Sequence, residues 1–334
     1  MNDMPQISVI IPTHNRAASL EITLDRLAKT DRRGLDVDII VVDNASSDAT
    51  RNVVTSYETR LPVRYLYEPT KGTYGKSHAL NKALDTGGLG AIIAVLDDDM
   101  TVHEDWFHGV ATICKRWPDK DIFTGHTYII WPSDDVPDWA KKTKFHSSIF
   151  SAVSVGGQDT LLEDGRWFSG NHFWFRSRVL EKKPYFKDIW NTEPDFQLDL
   201  AEMGFGGIAA PDAIVGHRVQ PFLLDKKVVL DRAKKIGTLN AQLRLDPYRK
   251  KVNQARLLRK HPFFGRLFCL LNHLQWRILY LTACLYPTDS SRFEHRLIAL
   301  ERMTNYIELL RAANRLEDYA VWKRVRPESV NKNV

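Results

Sequence analysis

The sequence predicts an α/β fold, a mixed and mainly parallel sheet flanked by helices, with a helical appendage at its C-terminal side. Three observations carry that expectation. Short β-branched runs alternate with helical periodicity through roughly residue 100. A cluster of polar residues follows each of those runs, as at the carboxyl ends of parallel strands where ligands bind. Beyond Leu224 strand signals give way to helical ones.

Residues 7–11 form the first β-branched run, stopped by Pro12, and residues 19–27 carry apolar side chains at Leu20, Leu24 and Leu27, a helical spacing. Residues 37–42 form the second strand. The Ser and Asp residues of the following 43–48 segment suit the N-cap of a helix through Val53 and Tyr57. Residues 63–67 read as a third strand and 78–84 as a helical turn or two. Residues 91–96 read as a fourth strand, apolar throughout as a strand buried on both faces should be. From 122 to about 217 the chain is rich in Trp, Gly and Pro, with strands expected at 122–124, 127–130, 173–175 and 207–210. The expected boundary separates an α/β domain, 1–222, from a helical region, 223–334.

A chain of 334 residues holds one large domain with an appendage or two modest domains, and 43% hydrophobic with 26% charged residues is a globular composition. The net charge of +6 suits either an anionic partner or a solvated surface. Cys114, Cys269 and Cys284 are far apart, with no CxxC pair, so neither a disulfide framework nor a zinc knuckle is indicated. A reducing cytosol is the expected location. The polar opening residues predict no secretory leader, and no stretch reaches the roughly 18 apolar residues of a spanning helix.

Asp97, Asp98 and Asp99 stand side by side after the apolar fourth run. Their mutual repulsion is relieved either by a divalent cation, since hard cations take oxygen ligands, or by a lysine on Asp97 with the other two in water.

The chain resembles the family 2 glycosyltransferases of GT-A fold over roughly residues 6–237. The resemblance rests on Pro12-Thr13-His14-Asn15-Arg16, on Asp43-Asn44-Ala45-Ser46-Ser47-Asp48, and on Gly75-Lys76-Ser77-His78-Ala79-Leu80-Asn81. It continues through Asp97-Asp98-Asp99, Ser169-Gly170-Asn171, Glu193-Pro194-Asp195 and Pro211-Asp212-Ala213-Ile214-Val215-Gly216-His217, all in the family's order. Pro194, where the family has an acid, and Ala201, where it has an Arg, are departures.

The resemblance implies a metal-dependent, inverting hexosyl transfer from a nucleotide-diphosphate sugar, a UDP-sugar foremost, to a glycan or lipid-linked hydroxyl. It implies Mn2+ or Mg2+ held by Asp99 and His217, and Asp195 as catalytic base. Nucleotide contacts fall to Pro12, Thr13, Asn15, Arg16, Asp43, Lys71, Gly72, Lys76, Asp97 and Asp98. Trp131, Trp139, Trp167, Gly170, Asn171 and Glu193 line the sugar and acceptor side. Read alone, several of these residues have plainer roles: Asp43 and Asp195 suit helix caps, His217 a core histidine and each Trp a packing residue. A sugar nucleotidyltransferase and a catalytically silent nucleotide-binding adaptor are the alternatives; the first normally shows a Gly-rich loop where this chain has Pro12-Thr13-His14-Asn15.

The segment from Lys226 to Arg266 is strongly basic and runs into an apolar stretch, Phe263 to Leu281, interrupted by Arg266, His273 and Arg277. It suits either an anionic membrane surface, which would place the protein peripherally on the inner face, or packing on the catalytic domain or a second subunit. Nucleic acid is not expected as a partner, because no aromatic platform accompanies the basic tract.

Overall fold

The computed structural model describes residues 6–70, 75–162, 170–189, 192–245, 262–285 and 290–314. The chain divides into two compact units. The first comprises Met1–Asp134 and Phe145–Gln220, the second Asp135–Lys144 and Pro221–Val334.

The first unit is built on one sheet. Its strands are β1 (Gln6–Thr13), β2 (Asp36–Asn44), β3 (Val63–Glu68), β4 (Ile92–Leu96), β5 (Met100–Val102), β6 (Ile122–Ile130), β7 (Thr160–Leu162), β8 (His172–Arg176) and β9 (Gly207–Arg218). The order across the sheet is β3-β2-β1-β4-β8-β6-β9-β5, with β7 on β9. β1 to β4 pair in parallel, whereas β8 is antiparallel to both β4 and β6. The helices of this unit are α1 (Ala17–Lys29), α2 (Thr50–Ser56), α3 (Gly75–Leu84), α4 (Trp106–Arg116), α6 (His146–Phe150) and α7 (Thr192–Glu202); α5 (Asp138–Lys142) belongs to the second unit.

Alternation along β1 explains the layering. Ile7, Val9 and Ile11 point into one core with Leu20, Leu24 and Leu27 of α1, while Ile10 points into another with Ala79, Leu80 and Ala83 of α3. β4 is buried at every position, as its unbroken apolar run requires. Ser8 is tolerated in the interior because its hydroxyl accepts the Gly90 N–H at 2.8 Å.

The segments expected as separate strands at 122–124 and 127–130 are one strand, and the 207–210 strand continues to Arg218. The register between β6 and β9 shifts after Thr124, so that His126 meets Ile214. The surplus residues on β9 form a bulge that contains Pro211, which has no N–H to give a ladder. Gly125 faces this bulge, where a Cβ would run into the Ala213 carbonyl.

His172 is wholly buried and accepts a hydrogen bond at Nε2 from the Trp106 indole N–H at 2.9 Å. Burial drives its pKa down to about 3, so the ring is neutral in the folded chain.

In the second unit α8 (Lys226–Leu245), α9 (Pro262–Cys284) and α10 (Ser290–Asn314) pack together. A sequence boundary at 222 does not anticipate that 135–144 belongs here. The reason is Trp139 of α5, 4% exposed, whose ring meets Phe293 of α10 at 4.8 Å between centroids.

Gly125→Ala is expected to destabilise the protein by about 1–3 kcal/mol, read as a lower urea midpoint, because the displaced atom is backbone. Acid should act through His172. Below its unfolded-state value near 6.5 the unfolded chain takes up a proton that the native chain refuses until about 3. Native stability should therefore fall with pH across that window, by up to about 1.4 kcal/mol per pH unit from this group, and the slope should shrink in His172→Gln.

Candidate active site

The carboxyl ends of β1, β2 and β4 converge, and the loops after β1 and β2 are stapled together. The His14 ring N–H donates to the Asn44 carbonyl at 2.6 Å, the Asn15 amide to Ser46 Oγ at 2.8 Å, and the Ser47 amide to Asn15 Oδ1 at 2.7 Å. Asp48 accepts the amides of Ala17 at 2.9 Å and Thr50 at 3.1 Å, which closes the starts of α1 and α2. Asn15 and Ala45 both have positive φ, 50° and 55°, unusual for residues other than glycine and concentrated at this rim. Asp43 is buried. Its carboxylate accepts the Ser46 amide at 2.8 Å and the Tyr65 hydroxyl at 2.7 Å, which leaves each oxygen a further lone pair.

Asp98 and Asp99 are 3% and 5% exposed, so they do not lie in water, and Asp97 does pair with a lysine. Each acid has its own counter-charge. Lys76 Nζ lies 2.5 Å from Asp97 and also pairs with Glu193. Arg16 Nη1 donates to Asp98 at 2.7 Å and Asp99 at 3.0 Å, and Thr13 Oγ1 donates to Asp98 at 2.7 Å. The β5–β9 pairing sets Met100 opposite His217 and so brings His217 Nε2 to 3.6 Å from Asp99 Oδ2.

Burial, helped by the charges of Asp99 and Glu193, pushes the Asp97 carboxyl up to about 6 against the pull of Lys76. Burial also raises Asp98. Asp99 goes the other way. Burial opposes its ionisation, but His217 and Arg16 outweigh it and hold the group down at about 2. Lys76 is held above its usual range because Asp97 and Glu193 together outweigh its own burial.

α7 begins at Thr192, which puts Pro194 in the first turn, where a missing N–H costs no helical hydrogen bond. Asp195 is therefore inside the helix and not its N-cap. Residues two apart on a helix face different sides, and the two acids do so here. Glu193 turns to Lys76 and to Gly170, where a Cβ would lie 2.9 Å from the Glu193 carboxylate. Asp195 pairs with Lys187 at 2.7 Å, and Lys187 in turn meets Asp199 at 2.8 Å.

Asn171 is buried and donates to the Ser151 carbonyl at 3.1 Å, while its own backbone carbonyl accepts the Asp97 amide at 3.0 Å. Trp131 packs its edge on Phe150 at 5.0 Å between centroids, and the Phe150 carbonyl accepts the His217 Nδ1–H at 2.6 Å. Trp139 is taken up by packing in the second unit. Lys71, Gly72 and Trp167 lie outside the described residues, as do the basic side chains from Arg249 to Lys260.

Two cationic groups escaped the sequence reading. Arg218 donates to the backbone carbonyls of Ser19, Asp98 and Met100 and to Thr23 Oγ1, at 2.7 to 3.1 Å, and so fixes the acidic loop from beneath. Its place next to His217 was the available signal. Lys187 belongs to a strap over 183–189. Asn81 holds that strap to α3 through both the carbonyl (2.8 Å) and the amide (2.7 Å) of Phe186, and Ser77 adds a bond to Asp188 at 2.9 Å. Lys183 and Lys187 hold it to α7 through Asp199 and Asp195.

The family model for Glycosyl transferase family 2 matches residues 8–182. Among curated proteins, validoxylamine A glucosyltransferase of Streptomyces hygroscopicus subsp. jinggangensis is 45% identical over 69 residues, 21% of this chain and 16% of that one. Glycosyltransferase AglE of Haloferax volcanii is 32% identical over 133 residues, 39% of this chain and 42% of that one. The chain thus spans less than half the length of these relatives. The solved mannosyltransferase PcManGT of Pyrobaculum calidifontis, in complex with GDP-Man and Mn2+, superposes with a TM-score of 0.55 at 20% identity, covering 98% of this chain and 88% of that one. The likeness shows a shared GT-A fold. With the profile match spanning more than half its length, this chain belongs to glycosyl transferase family 2.

Proposed function

We propose that the protein transfers a sugar from a nucleoside-diphosphate sugar, a UDP-sugar foremost, to a hydroxyl of a glycan or lipid-linked acceptor, with inversion at the anomeric carbon. The observation that carries this reading is the Asp97–Asp99 triad after β4, with Asp98 and Asp99 buried, ringed by Arg16, Lys76 and His217 and faced by Glu193. Cations and acids in that mixture suit a ligand that brings both a diphosphate and a metal.

The residues present fit a divalent cation. Asp99 Oδ1 is buried and, among the described residues, has no hydrogen-bond partner. His217 gives its Nδ1–H to a backbone carbonyl, the arrangement that presents Nε2 as a ligand. Asp99 and His217 would hold Mn2+ or Mg2+, which would stabilise charge on the departing diphosphate. Among the described residues no group of three or more His, Cys, Asp or Glu side chains is gathered for a metal, so phosphate oxygens and water would complete the shell.

Arg16 and Lys76 would meet the diphosphate, and Thr13 would keep Asp98 aligned. Asp43, fixed by Tyr65 and Ser46, has the lone pairs to accept a base N–H, as uracil offers. For the chemical step we assign the base to Glu193 in place of Asp195: each acid pairs with a lysine, but Glu193 turns to Lys76 and the Asp97 end of the site, and Asp195 to the other side of α7. Glu193 takes the proton of the acceptor hydroxyl as its oxygen bonds to the anomeric carbon, and the bond from that carbon to the phosphate oxygen breaks with the electrons leaving on the nucleoside diphosphate. A single base and direct displacement invert the centre.

Glu193→Gln should lower kcat by about 100-fold or more with little change in donor affinity, whereas Asp195→Asn should retain most turnover. The reverse ranking would return the base to Asp195. UDP with Mn2+ should raise the thermal unfolding midpoint more than UDP alone, and Asp99→Ala should abolish that increment. A larger shift with GDP than with UDP would overturn the assignment of uracil as the nucleobase.

A further inference from the structure

α9 packs along its length on α10, and Cys269 also joins Ala241 of α8 in a small buried cluster. Cys269 and Ala283 are buried there, and the His273 ring lies 3.0 Å from the Met303 carbonyl. Most of its remaining surface is exposed and apolar. Phe263, Leu267, Leu271, Leu274, Ile278 and Leu281 recur at helical spacing on one face, and Phe263, Ile278 and Leu281 are 72%, 62% and 56% exposed. The stripe runs nearly the whole helix, about 30 Å, as one contiguous apolar face.

The sequence segment that contains this helix carries charge of one sign. Residues 247–288 contain eight Lys or Arg and no Asp or Glu. Arg266 and Arg277, both exposed, stand about three turns apart and therefore along the same edge of the stripe. Pairing this face with a second copy would bring two such sets of cations together with no acid in the segment to offset them. An anionic lipid surface would accept both the apolar stripe and the cations along its edge. Among the described residues no helix is long and apolar enough to cross a membrane.

We propose that α9 lies in the plane of an anionic membrane interface. The stripe from Phe263 to Leu281 enters the acyl boundary, and Arg266 and Arg277 extend to the headgroups. This inference does not rest on the transfer reading.

The full chain should co-sediment with vesicles of phosphatidylcholine and phosphatidylglycerol at least about tenfold more tightly than with phosphatidylcholine alone, and added salt should weaken the binding. Leu271→Glu combined with Ile278→Glu should reduce binding by at least about tenfold while the thermal unfolding midpoint stays within a few degrees. Arg266→Glu combined with Arg277→Glu should remove the preference for the anionic vesicles and provides the test if the first variant misfolds. Equal binding to both vesicles, no binding, or undiminished binding by the variants would overturn the proposal. So would light scattering that showed a dimer dissolved by the Leu271 and Ile278 changes without vesicle binding, which would assign the face to a second copy.

Discussion

Three consecutive carboxylates at the end of a buried strand set the terms for the first unit. Water is excluded from Asp98 and Asp99, so each charge must be met by a fixed group, and an ionised acid left alone in such a place would be neutralised or expelled. The fold meets this from three places. Arg16 comes from the end of β1, Lys76 from the start of α3, and His217 from the end of β9, with Arg218 beside it on the carbonyls of the acidic loop. β5 turns back immediately after the triad to pair with β9, which delivers the last two. The topology at the far edge of the sheet is thus tied to the electrostatics of its centre.

The same arrangement explains the division of labour among the acids. Asp97, which shares Lys76 with Glu193, and Asp98 are both pushed toward the neutral form by burial, whereas Asp99, between His217 and Arg16, keeps its charge firmly. Adjacent residues with identical side chains are separated by their neighbours alone. In such a site the identity of the counter-ion matters more than the number of carboxylates.

Much of this was legible in the chain. The alternation of β-branched runs with helical spacing gave β1 through β4, and the polar clusters after them marked the carboxyl ends that converge. What was not legible depends on register. The single long β9 was hidden by Pro211, which reads as a strand breaker but sits in a bulge. The acids of α7 cannot be told apart in the sequence because their directions turn on where the helix starts: a start at Thr192 sends Glu193 and Asp195 to opposite sides, and the sequence shows both acids without their direction. Arg218 and Lys187 were missed because an arginine that supports carbonyls and a lysine within a loop have no pattern of their own. Trp139 shows the same limit, since an indole that packs and one that faces a ligand are written alike.

The strap over 183–189 has one more consequence. Asn81 and Ser77 fasten it to the helix that carries Lys76, and Lys187 fastens it to the helix that carries Glu193. The two side chains that meet at the mouth of the site are therefore carried on one common mount behind it. Through this mount a displacement of either helix strains the contacts of the other.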